Sequence, residues 1–325
     1  MNQPVRITEV APRDGLQNEA GIIPTSEKAD LVRTLSQTGV AEVEVTSFVS
    51  PKWIPQLGDA ADLFKLLTQD LDSAKPARVQ WSVLVPNQRG MDAAIRADLH
   101  AKETAGRSVI DKISVFTAAS ETFSQKNTNA SIAETIKRFA PVIAAAKQLG
   151  KRTRGYISCI VECPFEGPIA PEKIGEVCAS LLELGIDEID LGDTIGAASA
   201  ETISPALLAA IEALDGARTN SFGEPTLTLH LHDTFGRAAE CVLEALTLGV
   251  RSFDGAAAGL GGCPYASVGN ERAPGNIATE LLVRTIEDTG QPTGVHRAKL
   301  AAAGAFAQRI SMAAKMRAAA KEGSA

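Results

Sequence analysis

The chain has 325 residues, 45% of them hydrophobic and 22% charged, with a net charge of −7 at neutral pH. This composition excludes a disordered, collagenous or coiled-coil protein. The acidic balance argues against a phosphate-backbone binder, and 4% aromatic residues argues against stacking of bases on rings. No nucleic-acid partner is therefore expected. No apolar run reaches the roughly 18 residues of a membrane span, so no membrane partner is expected either. MNQPVRITEV has neither a basic-then-apolar leader nor an Arg/Ser-rich amphipathic one, and the five cysteines are an odd number. A cytoplasmic protein with reduced thiols is the expectation.

Short β-branched runs alternate along the chain with longer stretches of helical period. Arg6 to Val10 is the first strand, followed by the turn APRDGLQNE. A helix is expected from Ser26 to Thr38, with Ser26 as its N-cap. Ala41 to Val45 follows, then the loop SFVSPKWIPQ. Further strands are read at Val79 to Val85, Ile113 to Phe116, Arg152 to Ser158, Glu188 to Leu191, Leu227 to His232 and Arg251 to Ala256. Helices are read at Ile132 to Lys147, Glu172 to Leu184, Pro205 to Leu214 and Ala238 to Leu246. An alanine-rich helix from Lys299 to Lys321 closes the chain, and the terminal EGSA is expected to fray. Eight strands in βα alternation point to an α/β fold, a single closed parallel (β/α)8 TIM barrel with extra C-terminal helices. An open doubly wound sheet is the alternative, but no GxGxxG follows the first strand. The division expected is a catalytic barrel over residues 1–298 and a packed helical extension over 299–325.

LHLHD is the strongest local signal. His230 and His232 are two of only four histidines, and residues i and i+2 of a strand share a face. At the C-terminal end of a barrel strand that face is where catalysis occurs. Two imidazoles there suit a divalent metal; a hydrogen-bonded polar strand end is the alternative. Asp14 in PRDG and Asn276 in PGNIATE follow strands one and eight, which neighbour strand seven in a closed barrel. A mixed N/O set without thiolate favours Mg²⁺ or Mn²⁺ over structural Zn²⁺. Arg13 at the same mouth suits a carboxylate or an enolate oxygen, or else an ion pair that supports the barrel end. Glu44, sharing a face with Glu42, is placed to orient it. Asp193 in LGDTIG is read as a substrate or water contact, with an Asx-type turn as the alternative. Cys263 follows closely spaced glycines in AGLGGCPYA and is read as a thiol on a mobile loop, with a small turn residue as the alternative. Cys159 and Cys163 lack partners for a zinc site, and Cys178 and Cys241 belong to helical cores. Asn87, Lys126 and Asn127, in loops after strands three and four, are candidate ligand contacts. Lys52 and Trp53 shape a pocket rim or a subunit contact.

RDGLQNE, TSFVSPKWIPQ, RGYISC, LGDTIG, HLHDT and GLGGCPYA, in this order, resemble the 3-hydroxy-3-methylglutaryl-CoA lyase family, from about Val5 to Leu300. RDG and HxH are shared with a wider superfamily of metal-dependent lyases and acyltransferases; SFVSPKW and GGCPYA are more specific. The resemblance implies cleavage of an acyl-CoA to acetyl-CoA and acetoacetate with a divalent cation. It implies metal ligation by Asp14, His230, His232 and Asn276, and enolate stabilisation by Arg13 supported by Glu44. Cys263 takes the place of a catalytic loop cysteine and Asp193 that of an active-site aspartate. Protonation of the product carbon falls to Cys263, His230 or Asp193. A homo-oligomer, usually a dimer, and a role in leucine breakdown are also implied. Alternatives are a sister lyase for another 3-hydroxyacyl-CoA such as citramalyl-CoA, a Claisen-type synthase, and a non-catalytic metal-binding barrel. The synthase is disfavoured by the short stretch after Lys299, the last by the intact set of catalytic residues. The sequence departs from the family pattern at three places. Arg96 to Val109 and Ser267 to Ala273 look lengthened, and FDGAAAG lacks a small hydroxyl residue just after Asp254.

Overall fold

The computed structural model describes residues 4–262 and 275–322, with side chains through residue 320. Eight parallel strands close a barrel: β1 (Arg6–Glu9), β2 (Glu42–Ser47), β3 (Gln80–Leu84), β4 (Lys112–Ala118), β5 (Arg152–Ser158), β6 (Glu188–Asp193), β7 (Leu227–Leu231) and β8 (Ser252–Gly255). Each pairs with the next, and β8 closes on β1 through Arg6↔Ser252 to Glu9↔Gly255. The expected (β/α)8 fold is the one observed.

The strand pattern divides inside from outside. Ile7, Val43, Val45, Val83, Ile113, Val115, Ile157, Ile189, Leu191, Leu229 and Phe253 are fully buried in the one large apolar core. They alternate with inward-facing polar residues: Thr8, Glu42, Glu44, Ser82, Lys112, Ser114, Arg154, Glu188, Asp190, Thr228 and Asp254, also fully buried. The apolar core is therefore the annulus between sheet and helices, and the barrel axis is a column of ion pairs. Lys112 Nζ lies 2.6 Å from both Glu42 and Glu188, and Arg154 Nη2 lies 2.7 Å from Glu188. These cations hold both glutamates well below the usual carboxylate range although burial opposes it; Glu188 falls to about 2.

Several local readings need correction. The first helix is Thr25–Ser36 and is entered from Pro24, so Ser26 lies inside it and caps nothing. The helix expected from Pro205 begins at Ala200, where Ser199 and Thr202 cap its first turn and Pro205 sits inside. Reading proline as a helix start missed the Ser199 cap six residues upstream. Arg96 to Val109 is mostly helix rather than loop: an 18-residue helix runs Gln88–Ala105 and ends on Gly106 at φ 75°. Asp98 on that helix accepts from the amides of Val109 and Ile110 and binds Lys151, fastening the return to β4. The missing hydroxyl after Asp254 does not face the barrel axis. A Cβ at Gly255 would lie 2.8 Å from Thr279 Oγ1, on the helix side of the sheet. Cys178 and Cys241 are buried in the core, their thiols pushed up by burial to about 12. The C-terminal helix, Arg297–Glu322, buries Ala303, Ala307, Ile310 and Ala314 in the same apolar core as the barrel. No helix among the described residues is long and apolar enough to cross a membrane.

Candidate active site

After β1 the chain makes one wide turn, Ala11–Gly15, in which the amides of Arg13, Asp14 and Gly15 all point at Val10 O. Such i→i+5 turns recur at functional sites. This one presents Arg13 and Asp14 together at the C-terminal mouth. Arg13 Nε donates to Glu44 of β2, and its Nη1 pairs with Asp14 Oδ1. The guanidinium lies 5.3 Å from the centre of the Tyr156 ring. Burial would lower the guanidinium's pKa, but Glu44 and Asp14 raise it, so Arg13 stays charged.

His230 and His232 project from the end of β7 with ring centroids 5.4 Å apart. His232 Nε2 is 4.0 Å from Asp14 Oδ2. Ligand atoms of Asp14, His230 and His232 all lie within 4.8 Å of one another. Asn276 is carried beside them by a bridge to His232. Its amide nitrogen donates to Asp14 Oδ2 at 2.8 Å and to Leu260 O at 2.9 Å. Glycine is required in the adjoining chain. A Cβ on Gly261, at φ 99°, would lie 2.6 Å from Asn276 Nδ2, and one on Gly275 would lie 2.1 Å from Gly261 O.

Two observations fit this cluster to a cation. Asn276 Oδ1 and His232 Nδ1 are buried with no hydrogen-bond partner among the described residues, and an orphaned buried acceptor is costly unless a ligand satisfies it. The protonation states also suit. Burial would raise Asp14, but Arg13, both histidines and Asn276 hold it down at about 2. Burial, then neighbouring His230, lowers His232 to about 4. At neutral pH the set is an anionic carboxylate and a neutral imidazole, both with lone pairs free to donate.

The mouth opens into a cleft of about 640 Å³, lined by Arg13, Asp14, His230 and His232 among others. Asn87, Lys126 and Asn127 line it too. Asn87 lies in the loop after β3 as expected, but Lys126 and Asn127 are not loop residues. Asn87 caps its helix by accepting from Gly90 N, and Lys126 and Asn127 lie on the helix Glu121–Thr128. Trp53 lines the rim at 66% exposure. Asp193 is placed apart: its two oxygens accept from the amides of Ala197 and Ala198, the turn-forming alternative, while its neighbour Thr194 reaches the cleft. Burial raises its carboxyl to about 6 against those amides. Cys263 and Ser267 to Ala273 lie outside the described residues.

Sequence reasoning missed Tyr156, Asp190, Asp254 and Arg138. Tyr156 lines the cleft, and its hydroxyl lies 3.3 Å from both Glu44 and Asp254. The signal was available in the alternation Arg154, Tyr156, Ser158 along β5, which puts polar groups inward in an otherwise apolar strand. Arg138 is exposed on a helix that also reaches the cleft, and no strand pattern points to it.

The sequence pattern of the HMGL-like family matches residues 4–306. A mitochondrial hydroxymethylglutaryl-CoA lyase of Bos taurus is 44% identical over 302 residues, covering 93% of this chain and 84% of that one. The crystal structure of the HMG-CoA lyase from Brucella melitensis superposes with a TM-score of 0.84 at 40% identity, covering 96% of this chain and all of that one. An HMG-CoA lyase from Acinetobacter baumannii, solved with coenzyme A and 3-methylmalate, superposes at 0.81 with 31% identity, covering 96% of this chain and 93% of that one.

Proposed function

This chain belongs to the HMGL-like family, and we propose that it is a carbon–carbon lyase that cleaves 3-hydroxy-3-methylglutaryl-CoA to acetyl-CoA and acetoacetate. The observation that carries this reading is the convergence of Arg13, Asp14, His230 and His232 on one cleft at the C-terminal mouth, with Asn276 bonded to Asp14. Asp14, His230, His232 and Asn276, the last through its unpartnered Oδ1, would hold a divalent cation. Nitrogen and oxygen donors without thiolate suit Mg²⁺ or Mn²⁺. Bound there, the cation supplies Lewis-acid polarisation of the substrate oxygens and lowers the alcohol pKa.

A base in the cleft takes the proton of the substrate's tertiary alcohol, the acetoacetate carbonyl forms as the adjacent C–C bond breaks, and the C–C electron pair leaves with the acetyl-CoA half as an enolate. Arg13 is fixed by Glu44 and Asp14 before substrate arrives. Its charge at the cleft therefore stabilises the enolate oxygen without reorganisation. Cys263 is assigned the protonation of the departing carbon on the family resemblance. Asp193 supports the turn that brings Thr194 to the cleft. Lys126, Arg138, Asn87 and Asn127 along the same wall offer cationic and amide contacts to the CoA moiety. A homo-oligomer in a reducing compartment, the cytoplasm, completes the reading. The free thiols of Cys163, Cys178 and Cys241 agree with that compartment.

The test is turnover on a panel of 3-hydroxyacyl-CoA esters with Mn²⁺ supplied. Highest kcat/KM for 3-hydroxy-3-methylglutaryl-CoA, with acetoacetate released, supports the assignment. Higher kcat/KM for citramalyl-CoA would move it to the sister lyase.

A further inference from the structure

His230 and His232 differ in what holds them. Asp254 of β8 stands directly across from His230 in the parallel register of β7 and β8. Its Oδ2 lies 3.2 Å from His230 Nδ1. The Tyr156 hydroxyl, 3.3 Å from the same oxygen, and Arg154 Nη1, 3.7 Å from Oδ1, hold the carboxylate in place. Asp254 is 1% exposed, so these contacts are made out of water. Tyr156 also meets the His230 ring edge-on, at 6.2 Å and 85°. His232 has no such support, since its Nδ1 lacks a hydrogen-bond partner among the described residues. A carboxylate only accepts, so a neutral imidazole bonded to it through Nδ1 must carry its proton there. The lone pair is then left on Nε2.

We propose that Asp254 is a positioning residue: it fixes His230 as the Nδ1–H tautomer, so that Nε2 is the donor atom offered to the site shared with Asp14 and His232. This rests on the metal-site reading above. Tyr156 then joins two branches of the site, because its hydroxyl also reaches Glu44, which holds Arg13. One phenol proton serves both carboxylates, so the geometry of the cationic branch and that of the imidazole branch are linked through a single side chain.

The tautomer is read directly from nitrogen chemical shifts of ¹⁵N-histidine in the metal-free, full-length protein at a pH where the imidazoles are neutral. His230→Gln identifies the His230 signals. The wild type is expected to show Nδ1 protonated and Nε2 bare; protonated Nε2 with bare Nδ1 would overturn the proposal without any variant at Asp254. The second readout is calorimetric titration with Mn²⁺. Asp254→Asn, folded by its melting curve, is expected to bind Mn²⁺ about 10–100-fold more weakly, the usual loss when a ligand's outer partner is removed. Tyr156→Phe is expected to weaken it several-fold less, because Arg154 still reaches Asp254. Folded Asp254→Asn with wild-type tautomer and wild-type Mn²⁺ affinity would also overturn the proposal. A wild type with the expected tautomer but no Mn²⁺ binding would instead remove the metal-site reading and leave the role of Asp254 in fixing the tautomer supported.

Discussion

The two halves of the barrel interior are both buried and polar, and they behave differently. In the lower half Lys112 and Arg154 each sit between Glu42 and Glu188. In the upper half Asp14, Asp254, His230, His232 and Asn276 crowd together, and Asn276 Oδ1 and His232 Nδ1 find no hydrogen-bond partner among the described residues. Asp190 marks the transition. Burial and the neighbouring Asp254 charge push its carboxyl well above the usual range, although Arg154 stands 3.6 Å away. A matched buried network holds a structure in place. Acceptors in excess are a liability in a scaffold and an asset in a site awaiting a cation and substrate.

Substitutions sharpen this contrast, and the largest effect is expected at the mouth. His230→Ala should lower turnover by about 10²–10⁴-fold, the scale of a lost acid–base or ligand group, with an unchanged melting profile. Near-normal turnover would take His230 out of the site. Lys112→Met breaks the matched half instead. It leaves Glu42 and Glu188 without a shared cation, and urea unfolding should show a loss of about 3–5 kcal/mol. A loss under 1 kcal/mol would mean that Arg154, together with Arg6 at 3.0 Å from Glu42, suffices. Arg13→Gln lies on the boundary, since it removes the charge while keeping polar contact with Glu44. It should lower kcat by about 10²–10³-fold, comparable to one oxyanion donor, with Mn²⁺ affinity changed far less. An equal loss of both would make Arg13 a support for Asp14 alone.

The pH dependence of stability separates the same groups. Asp14 and Glu188 are held at about 2, so their contribution is full above their ordinary values near 4 and is lost as pH falls toward 2. Glu9 moves the other way. Burial raises it to about 8, although Thr279 and the amides of Ala257 and Ala11 bond it. A raised acid favours folding at low pH, and that contribution is lost as pH rises through 8. Stability of the metal-free protein should thus peak at mildly acidic pH, and Glu9→Gln should flatten only the alkaline side. An unchanged alkaline limb in that variant would contradict the assignment. The smallest effect is expected at the rim, where Trp53→Ala should raise KM for the acyl-CoA a few-fold and spare kcat. An effect on kcat alone would place Trp53 closer to the chemistry.

Much of this was legible in the residues. The strand pattern found all eight barrel strands to within about two residues, because buried parallel strands are short β-branched runs bounded by turn residues. HxH on one strand face and RDG after β1 located the mouth. What stayed hidden depends on contacts across the chain. The helix Ala60–Thr68 was masked by the proline-rich loop before it, and Gln88–Ala105 by its many charged residues. The role of Asp193 stayed open because a buried aspartate after a strand looks the same in sequence whether it faces substrate or caps its own turn. Asp254 was passed over because its partner, His230, lies on another strand 24 residues earlier. Inward alternation along β8, read against β7, would have paired them.

The most direct test of the central claim is to strip the protein with chelator and measure acetoacetate release from 3-hydroxy-3-methylglutaryl-CoA before and after adding Mg²⁺ or Mn²⁺. The account predicts negligible release from the stripped protein and recovery with either ion in the wild type, but not in His230→Ala. Full release from thoroughly stripped, folded protein would contradict it.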